Sequence, residues 1–306
     1  MENDKKLNSS VLVVGATGNL GMEICRQLVD ANKKVKALVR NTSAPEKVEG
    51  LKKMGVETVV GDIKDPFSLR TALQGVEAVI STASSTMSRQ QGDSIESVDL
   101  DGQQNVIESA ASAGVKKFIF VSFTGIPGEF PLQSAKRKAE RKLKDTGMDY
   151  TILQPTYFME IWLSPPLGFD YINATATIYG DGKNKLPWIS LKDVASFAVA
   201  ALDNPAAKKA ILELGGPDHL SPLEIVEIFE HHGGKPFTIQ HVPEDTLHTQ
   251  KEAAGDSMSK SFAYLMLGYA HGCDIDMKKI LEYFPVRLTS VQEYAKRVLP
   301  QEAEIM

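Results

Sequence analysis

The chain has 306 residues, 42% of them hydrophobic and 24% charged, a composition typical of a globular protein with a full core. Its 34 basic and 39 acidic residues leave a net charge of −5, which gives no reason to expect a nucleic-acid partner. Cys25 and Cys273 lie far apart, which excludes a disulfide framework or a cysteine-based zinc site. No apolar run approaches the roughly 18 residues that cross a bilayer. We therefore expect a cytoplasmic protein with no membrane segment and no bound metal.

Short apolar runs alternate with amphipathic segments through the first half of the chain. Six runs rich in β-branched residues are predicted as strands: Val11–Val14, Val35–Val39, Thr58–Val60, Ala78–Ser81, Phe118–Val121 and Thr151–Leu153. Helix starts are indicated by Asp65 before Pro66 and by a capping box from Ser43 to Glu46, and helix ends by Gly114 and Gly147. The alternation predicts an α/β fold with a doubly wound parallel sheet of the Rossmann type.

The alternation of predicted strands and helices ends after Pro155. Residues 165–188 are rich in Pro and Gly and predict loops with a hairpin. Four later elements are predicted. They are a helix whose first turn is Ser190 to Asp193, a strand at Ile211–Leu214, a helix that starts at Ser221-Pro222 and a strand at Phe237–Val242. We predict an NAD(P)-binding domain over residues 8–155. A smaller, interleaved substrate-side lobe is predicted over 156–306, with 189–215 returning to the sheet.

Glycines stand at positions 15, 18 and 21, directly after the first strand and before a helix that runs to about Ala31. Gly15 permits a tight turn, Gly18 lets the backbone approach a diphosphate, and Gly21 lets the helix pack close to the sheet. The spacing is one residue longer than G-x-G-x-x-G, and the alternative is a glycine turn with no ligand. The predicted diphosphate-binding residues are Gly15, Thr17, Gly18, Asn19, Leu20 and Gly21.

The end of the second strand indicates which dinucleotide is bound. An NAD site usually places a carboxylate there, whereas this chain has Arg40, whose forked donors match a 2′-phosphate. This favours NADP(H), with a solvated surface arginine as the alternative. Asp62, followed by Ile63, is a candidate acceptor for the adenine amino group or, equally, a helix cap or turn residue. The small residues Thr82 and Ala83 leave room for the ribose and nicotinamide.

Together these features resemble the atypical short-chain dehydrogenases/reductases, specifically the NmrA-like group of NAD(P)H-binding proteins. The matching stretches are 15–21, 61–62, 99–105 (DLDGQQN), 115–122 (VKKFIFVS), 149–158 (DYTILQPTYF) and 189–195 (ISLKDVA). The group contains NADPH-dependent reductases of quinones, dyes and plant phenolics, and also redox-sensing regulators without catalysis. The resemblance therefore implies an NADP(H) cofactor and leaves both functions open.

Short-chain dehydrogenases usually carry a Ser and a Tyr-x-x-x-Lys. By resemblance, Ser122 and Lys136 fall on the serine and lysine positions, where they would flank the nicotinamide end of the cofactor. The tyrosine position is Leu132, and Asp99 replaces a helical asparagine seen in many relatives.

A basic run surrounds Lys136. Lys136 borders an apolar stripe at helical spacing, formed by Leu132, Ala135, Ala139 and Leu143. The other cations of the run are predicted to lie mostly on a solvated face: Arg137, Lys138, Arg141, Lys142 and Lys144.

The missing tyrosine bears on the acceptor. Hydride addition to a simple ketone makes a basic alkoxide that needs a positioned acid, whereas a quinone-like acceptor spreads the charge. Tyr157 is a candidate substitute donor, with an aromatic pocket wall or core packing as the alternative. Phe158, Met159 and Trp162 are predicted to line an apolar acceptor site, again with core packing as the alternative, and Pro155 is included among the cofactor-binding residues.

The sequence thus predicts an NADPH-dependent oxidoreductase that passes hydride to a small aromatic, conjugated or quinone-like molecule. The alternative is a catalytically silent NADP(H)-sensing regulator or scaffold, which would have a protein partner. A nucleotide-sugar epimerase or dehydratase is disfavoured because that chemistry needs the tyrosine.

Overall fold

The computed structural model describes residues 10–88 and 90–300. The strands are β1 (Ser10–Val14), β2 (Val35–Val39), β3 (Glu57–Val60), β4 (Val76–Ser81), β5 (Lys117–Val121), β6 (Asp149–Pro155), β7 (Phe169–Asp170), β8 (Thr175–Tyr179), β9 (Leu186–Pro187), β10 (Ala210–Leu214), β11 (His219–Leu220) and β12 (Thr238–Val242). The α-helices are α1 (Asn19–Asp30), α2 (Pro45–Lys53), α3 (Pro66–Ala72), α4 (Gln103–Ser112), α5 (Pro131–Asp145), α6 (Met159–Trp162), α7 (Leu191–Ala201), α8 (Pro222–Gly233), α9 (Glu244–Ala253), α10 (Ser257–His271), α11 (Lys278–Tyr283) and α12 (Val291–Val298). A π-helix spans Ile95–Gly102, and 3₁₀ turns span Pro165–Leu167 and Pro205–Ala207.

The central sheet has seven strands in the order β10-β6-β5-β4-β1-β2-β3. The pairings that join β3, β2, β1, β4, β5 and β6 in this order are all parallel. In β1, Val13 lies opposite Ala37 of β2 and opposite Ile80 of β4. The strand order reverses direction between β1 and β4, and this is where doubly wound sheets bind their ligands. The predicted fold class is confirmed.

The six predicted strands are confirmed within a few residues at each end. Their sequences are continuous apolar runs because helices cover both faces of the sheet. All five residues of β1, for example, are buried. Phe118 and Phe120 of β5 and Leu143 of α5 belong to one hydrophobic cluster that joins the sheet to its helices. The predicted helix ends at Gly114 and Gly147 have φ of 75° and 76°, the left-handed conformation in which glycine commonly follows a helix.

One predicted helix start is confirmed and another is wrong. The Asp65 side chain accepts from the backbone N–H of Phe67 and caps α3. The capping box from Ser43 to Glu46 is not formed, because α2 begins one residue later than the pattern implies, at Pro45. The Ser43 hydroxyl instead accepts from the backbone N–H of Arg40 and closes the turn after β2.

The second half of the chain contains the predicted hairpin, in which β7 and β8 pair antiparallel. β12 extends this small sheet by pairing parallel with β8. The predicted helix start at Ser221 is confirmed as a full capping box, in which the Ser221 hydroxyl accepts from Glu224 and the Glu224 carboxylate accepts from Ser221.

The chain forms two compact units, neither of them continuous in sequence. Of the described residues, one contains 10–88, 90–123, 131–154 and 194–212, and the other contains 124–130, 155–193 and 213–300. The first unit holds nearly all of the central sheet, with β10 at its edge beside β6. The functional division at residue 155 stays a prediction, but residues 124–130 group with the second unit rather than with the first.

Replacing Gly21 by Ala is expected to lower the free energy of unfolding by about 2 kcal/mol or more, because a Cβ there would stand 2.2 Å from the Gly15 carbonyl oxygen. Gly50→Ala is the control: Gly50 lies inside α2 with nothing within 4 Å of its Cβ position, so stability should rise by about 0.5–1 kcal/mol. Urea unfolding followed by circular dichroism measures both. Equal stabilities of Gly21→Ala and the unsubstituted protein would contradict the close helix–turn contact.

Candidate functional site

The turn after β1 leaves the amino end of α1 open. Gly15 has a φ of 83°, and its carbonyl accepts from the N–H of Gly18 at 3.0 Å. The first bond within α1 is donated by Met22 to the Gly18 carbonyl, so the earlier N–H groups lie at the helix's free end. Gly18 caps the helix without any side chain, which leaves this end accessible to an anion. Of the other predicted residues in the turn, Thr17 is half-buried, Asn19 exposed and Leu20 buried.

The end of β4 lies directly against this turn. The Thr82 hydroxyl donates to the Val14 carbonyl at 3.1 Å, and the Thr82 N–H donates to the same oxygen at 2.9 Å. A Cβ on Gly15 would stand 2.7 Å from the Thr82 hydroxyl and 2.8 Å from the Ala83 nitrogen. Three predicted cofactor residues, Gly15, Thr82 and Ala83, are therefore brought together at the switch point of the sheet.

Arg40 lies in an ion cluster with Asp93 and Lys64 that no local sequence pattern indicates. Its guanidinium donates to Asp93 Oδ2 at 2.7 Å, and Lys64 Nζ donates to Asp93 Oδ1 at 2.6 Å. The Asp93 side chain is only 3% exposed, and its burial alone would raise the pKa of the carboxyl. Hydrogen bonds from Lys64, Ser88 and Arg40 outweigh burial and lower that pKa to about 2. Asp93 is thus ionised at neutral pH and holds two cations at the ends of β2 and β3.

Asp62 is placed as a turn residue. Its Oδ1 accepts from the Lys64 N–H at 2.9 Å, and its Oδ2 lies 3.8 Å from Lys64 Nζ. Ile63 is buried, and its carbonyl accepts from the Asn105 side chain at 3.0 Å. Contact of either residue with adenine stays a prediction.

Lys136 is buried and pairs with Asp99. Lys136 Nζ lies 3.1 Å from Asp99 Oδ1 and 5.2 Å from the centre of the Phe120 ring. Asp99 Oδ2 accepts from both the N–H and the hydroxyl of Ser85, at 2.9 and 2.6 Å. Asp99 Oδ1 accepts no hydrogen bond within the described part of the chain, because its approach to Lys136 is an ion pair without hydrogen-bond geometry. Asp99 sits in the π-helix, a backbone form that is rare and frequent at functional sites.

Ser122 contacts a different cation of α5. Its hydroxyl accepts from Arg137 Nη1 at 3.2 Å, and Arg137 Nη2 donates to the Phe123 carbonyl at 2.9 Å. Arg137 also pairs with Glu140, which is buried and accepts from Gln154 at 2.9 Å. Arg137 is therefore an exception to the solvated face that was predicted for most of the basic run. Ser122 and Lys136, predicted as neighbours of the nicotinamide, have separate polar partners.

Tyr157 is 5% exposed and belongs to an aromatic cluster of the second unit. Its ring packs edge-on to Trp162 at 4.9 Å, and Tyr269 and Trp188 complete the cluster. The hydroxyl donates to the Leu265 carbonyl at 2.9 Å, and burial raises its pKa well above the usual value. In this arrangement the phenolic proton is shared with a backbone carbonyl, and a role as proton donor stays a prediction.

The neighbours of Tyr157 have structural contacts of their own. Met159 is fully buried, and its N–H donates to the Ile189 carbonyl at 2.9 Å. Phe158 is half-buried and forms an isolated parallel β-bridge with Ile189. The Pro155 carbonyl accepts from the backbone N–H of Thr124. Contact of these residues with an acceptor or cofactor stays a prediction.

Neither a metal-binding cluster nor a membrane-spanning helix is present in the part of the chain that the structure describes. Within 10–88 and 90–300, no three His, Cys, Asp or Glu side chains are grouped to hold a metal ion. Over the same ranges, none of the helices combines the length and the apolar character needed to span a bilayer.

Two proteins of known name are similar to this chain over most of its length. The chain is 31% identical to the photosystem II assembly factor Ycf39 of Synechocystis, with 96% of this chain and 93% of that protein covered. It is 30% identical to an NAD(P)H azoreductase of Xenophilus azovorans, with 84% of each chain covered.

Among solved structures, the NADPH-dependent quinone oxidoreductase of Escherichia coli in complex with NADPH has the same fold, with a TM-score of 0.72 and 22% identity over 94% of this chain and 99% of that one. The model of the NmrA-like family matches residues 7–295. The protein therefore belongs to the NmrA-like family.

Proposed function

We propose that the protein is an NADPH-dependent reductase of small conjugated or quinone-like molecules. The observation that carries the proposal is the open amino end of α1 beside the Arg40–Asp93–Lys64 cluster, which together supply donors for a diphosphate and for a 2′-phosphate. The family supports it, since the Xenophilus relative is named an NAD(P)H azoreductase. A cytoplasmic location stays a prediction from composition.

The chain's residues fit NADP(H). A Cβ at Gly15 would meet Thr82, and one at Gly21 would meet the Gly15 carbonyl, so the turn stays tight and the amino end of α1 stays open for the diphosphate. Arg40 uses one nitrogen for Asp93 and retains further N–H donors for the 2′-phosphate, because a guanidinium has five. Lys136 and Asp99 would hold the nicotinamide ribose hydroxyls, since Asp99 Oδ1 accepts no other hydrogen bond in the described chain. When bound, NADPH supplies the hydride.

The class of acceptor follows from what the site lacks. Leu132 occupies the position of the usual tyrosine and is buried at 3% exposure, so no acid is positioned there. A ketone would gain a basic alkoxide and need that acid, whereas a quinone or azo group delocalises the charge and can take its proton from water. The lost tyrosine thus supports a conjugated acceptor.

A second candidate is a non-catalytic role in protein assembly. It is favoured by the Synechocystis relative, which is named an assembly factor and aligns over nearly the whole chain. On this alternative the same site would bind NADP(H) as a sensor, and the protein would act through a protein partner.

Replacing Arg40 by Ala is expected to weaken NADPH binding about 10- to 100-fold and NADH binding by no more than about threefold, because only NADPH carries the 2′-phosphate. Isothermal titration calorimetry measures both constants. Arg70→Ala, which removes an exposed cation of α3, is the control and should change neither. An equal loss for the two nucleotides would contradict the 2′-phosphate assignment.

The purified protein is expected to oxidise NADPH with quinones and azo dyes and not with simple aliphatic ketones, because it lacks the tyrosine acid. The measurement is NADPH absorbance against a panel of both acceptor classes. NADPH binding with no turnover of any acceptor, together with capture of a defined protein partner, would favour the assembly role. Ready reduction of ketones would contradict the argument from Leu132.

A further inference from the structure

Four polar side chains form a continuous chain of contacts from the sheet to Ser122. Gln154 of β6 donates to Glu140 at 2.9 Å, Glu140 pairs with Arg137, and Arg137 donates to the Ser122 hydroxyl at 3.2 Å. Arg137 and Glu140 are three residues apart on α5, so they share one face of the helix. The order of contacts fixes the guanidinium against the end of β5.

The surroundings make this arrangement rigid and directional. Ser122, Glu140 and Gln154 are each less than 9% exposed, whereas the Arg137 side chain is 24% exposed. A buried carboxylate is stable only with a cation and hydrogen bonds beside it, and Glu140 has both. A second donor of Arg137 binds the Phe123 carbonyl at 2.9 Å, which prevents the guanidinium from turning away.

The contact sets the polarity of the serine hydroxyl. A hydroxyl has one donor and two acceptor positions, and Ser122 uses an acceptor position for a charged donor. Its own proton is therefore left to donate, and the positive charge behind it strengthens that donation. The cation at Ser122 is Arg137, because Lys136 is directed to Asp99.

We propose that Arg137 is a positioning residue that orients and polarises Ser122 toward the acceptor atom that gains negative charge. This inference rests on the proposed function. When hydride adds to a quinone, one oxygen becomes an anion; Ser122 shares its proton with that oxygen without losing it, and water supplies the proton that completes the hydroquinone. The hydride and its two electrons would come from bound NADPH, which would leave NADP⁺, and the water that gives the proton would leave hydroxide, so the step balances. Arg137 thus stabilises through Ser122 a charge that the missing tyrosine would otherwise have neutralised.

The test is a double-mutant cycle between Arg137→Met and Ser122→Ala, with kcat, the KM for the quinone and the Kd for NADPH measured for each variant. Arg137→Met is expected to lower kcat about 10- to 100-fold and to leave the Kd for NADPH within twofold. In the Ser122→Ala background the same substitution should lower kcat by less than about threefold, because its effect passes through the hydroxyl. Equal losses in both backgrounds would overturn the proposal.

Two further variants separate this role from a structural one. Arg141→Met removes an exposed cation of the same helix and should leave kcat unchanged. Because Arg137→Met leaves Glu140 buried without its cation, Arg137→Met/Glu140→Gln is the variant that keeps the charge balance, and it should fold and show the same low kcat. Recovery of full kcat in that double variant would show that the first loss came from the unpaired carboxylate and would overturn the proposal.

A binding measurement provides a readout besides activity. 4-Nitrophenol, whose neutral and anionic forms differ in absorbance, is titrated with pH in the presence of the protein and NADP⁺. The bound phenol is expected to have a lower pKa on the unsubstituted protein and on Arg141→Met than on Arg137→Met. No difference between these proteins would overturn the proposal. Absence of turnover in the unsubstituted protein would overturn the proposed function and this inference with it, whereas turnover that is insensitive to Arg137→Met would overturn the inference alone.

Discussion

The close approach between the Gly15 carbonyl and the Gly21 α-carbon is the constraint on which the site depends. It holds α1 against the end of β1, and a single methyl group at position 21 would fall within 2.2 Å of the carbonyl oxygen. The amino end of α1 then faces the point where the strand order reverses, beside Thr82. The anion-binding character of this edge follows from backbone geometry, and side chains add selectivity around it.

Helix α5 organises the other polar groups of the sheet edge. Successive residues, Lys136 and Arg137, point to different partners because they are about 100° apart around the helix axis. One reaches Asp99 in the π-helix and the other reaches Ser122 at the end of β5. Two cations adjacent in sequence thus have separate electrostatic roles, and each is held by a buried carboxylate, Asp99 or Glu140.

The sequence predicted most of the fold because the sheet's apolar runs and the glycine turn are local patterns. The helical periodicity also predicted that Lys136 borders the apolar stripe of Ala135 and Ala139, and the structure buries Lys136 there. Sequence patterns did not predict contacts between side chains that are far apart in the chain. Asp93 lies 53 residues from Arg40, and no spacing rule links them. The partners of Arg137 are likewise set by tertiary contacts: Gln154 of β6 donates to Glu140, which pairs with Arg137, and no local pattern on α5 indicates this.

The site separates two consequences of losing the tyrosine at position 132. A buried carboxylate holds a guanidinium against Ser122, although keeping ionic groups at low exposure costs free energy of desolvation. The folded chain maintains that arrangement together with the Lys136–Asp99 pair. A hydroxyl with a cation behind it can donate a hydrogen bond to a delocalised anion without losing its proton. On the proposed function, these groups would serve an acceptor that disperses its charge and does not need an acid at position 132.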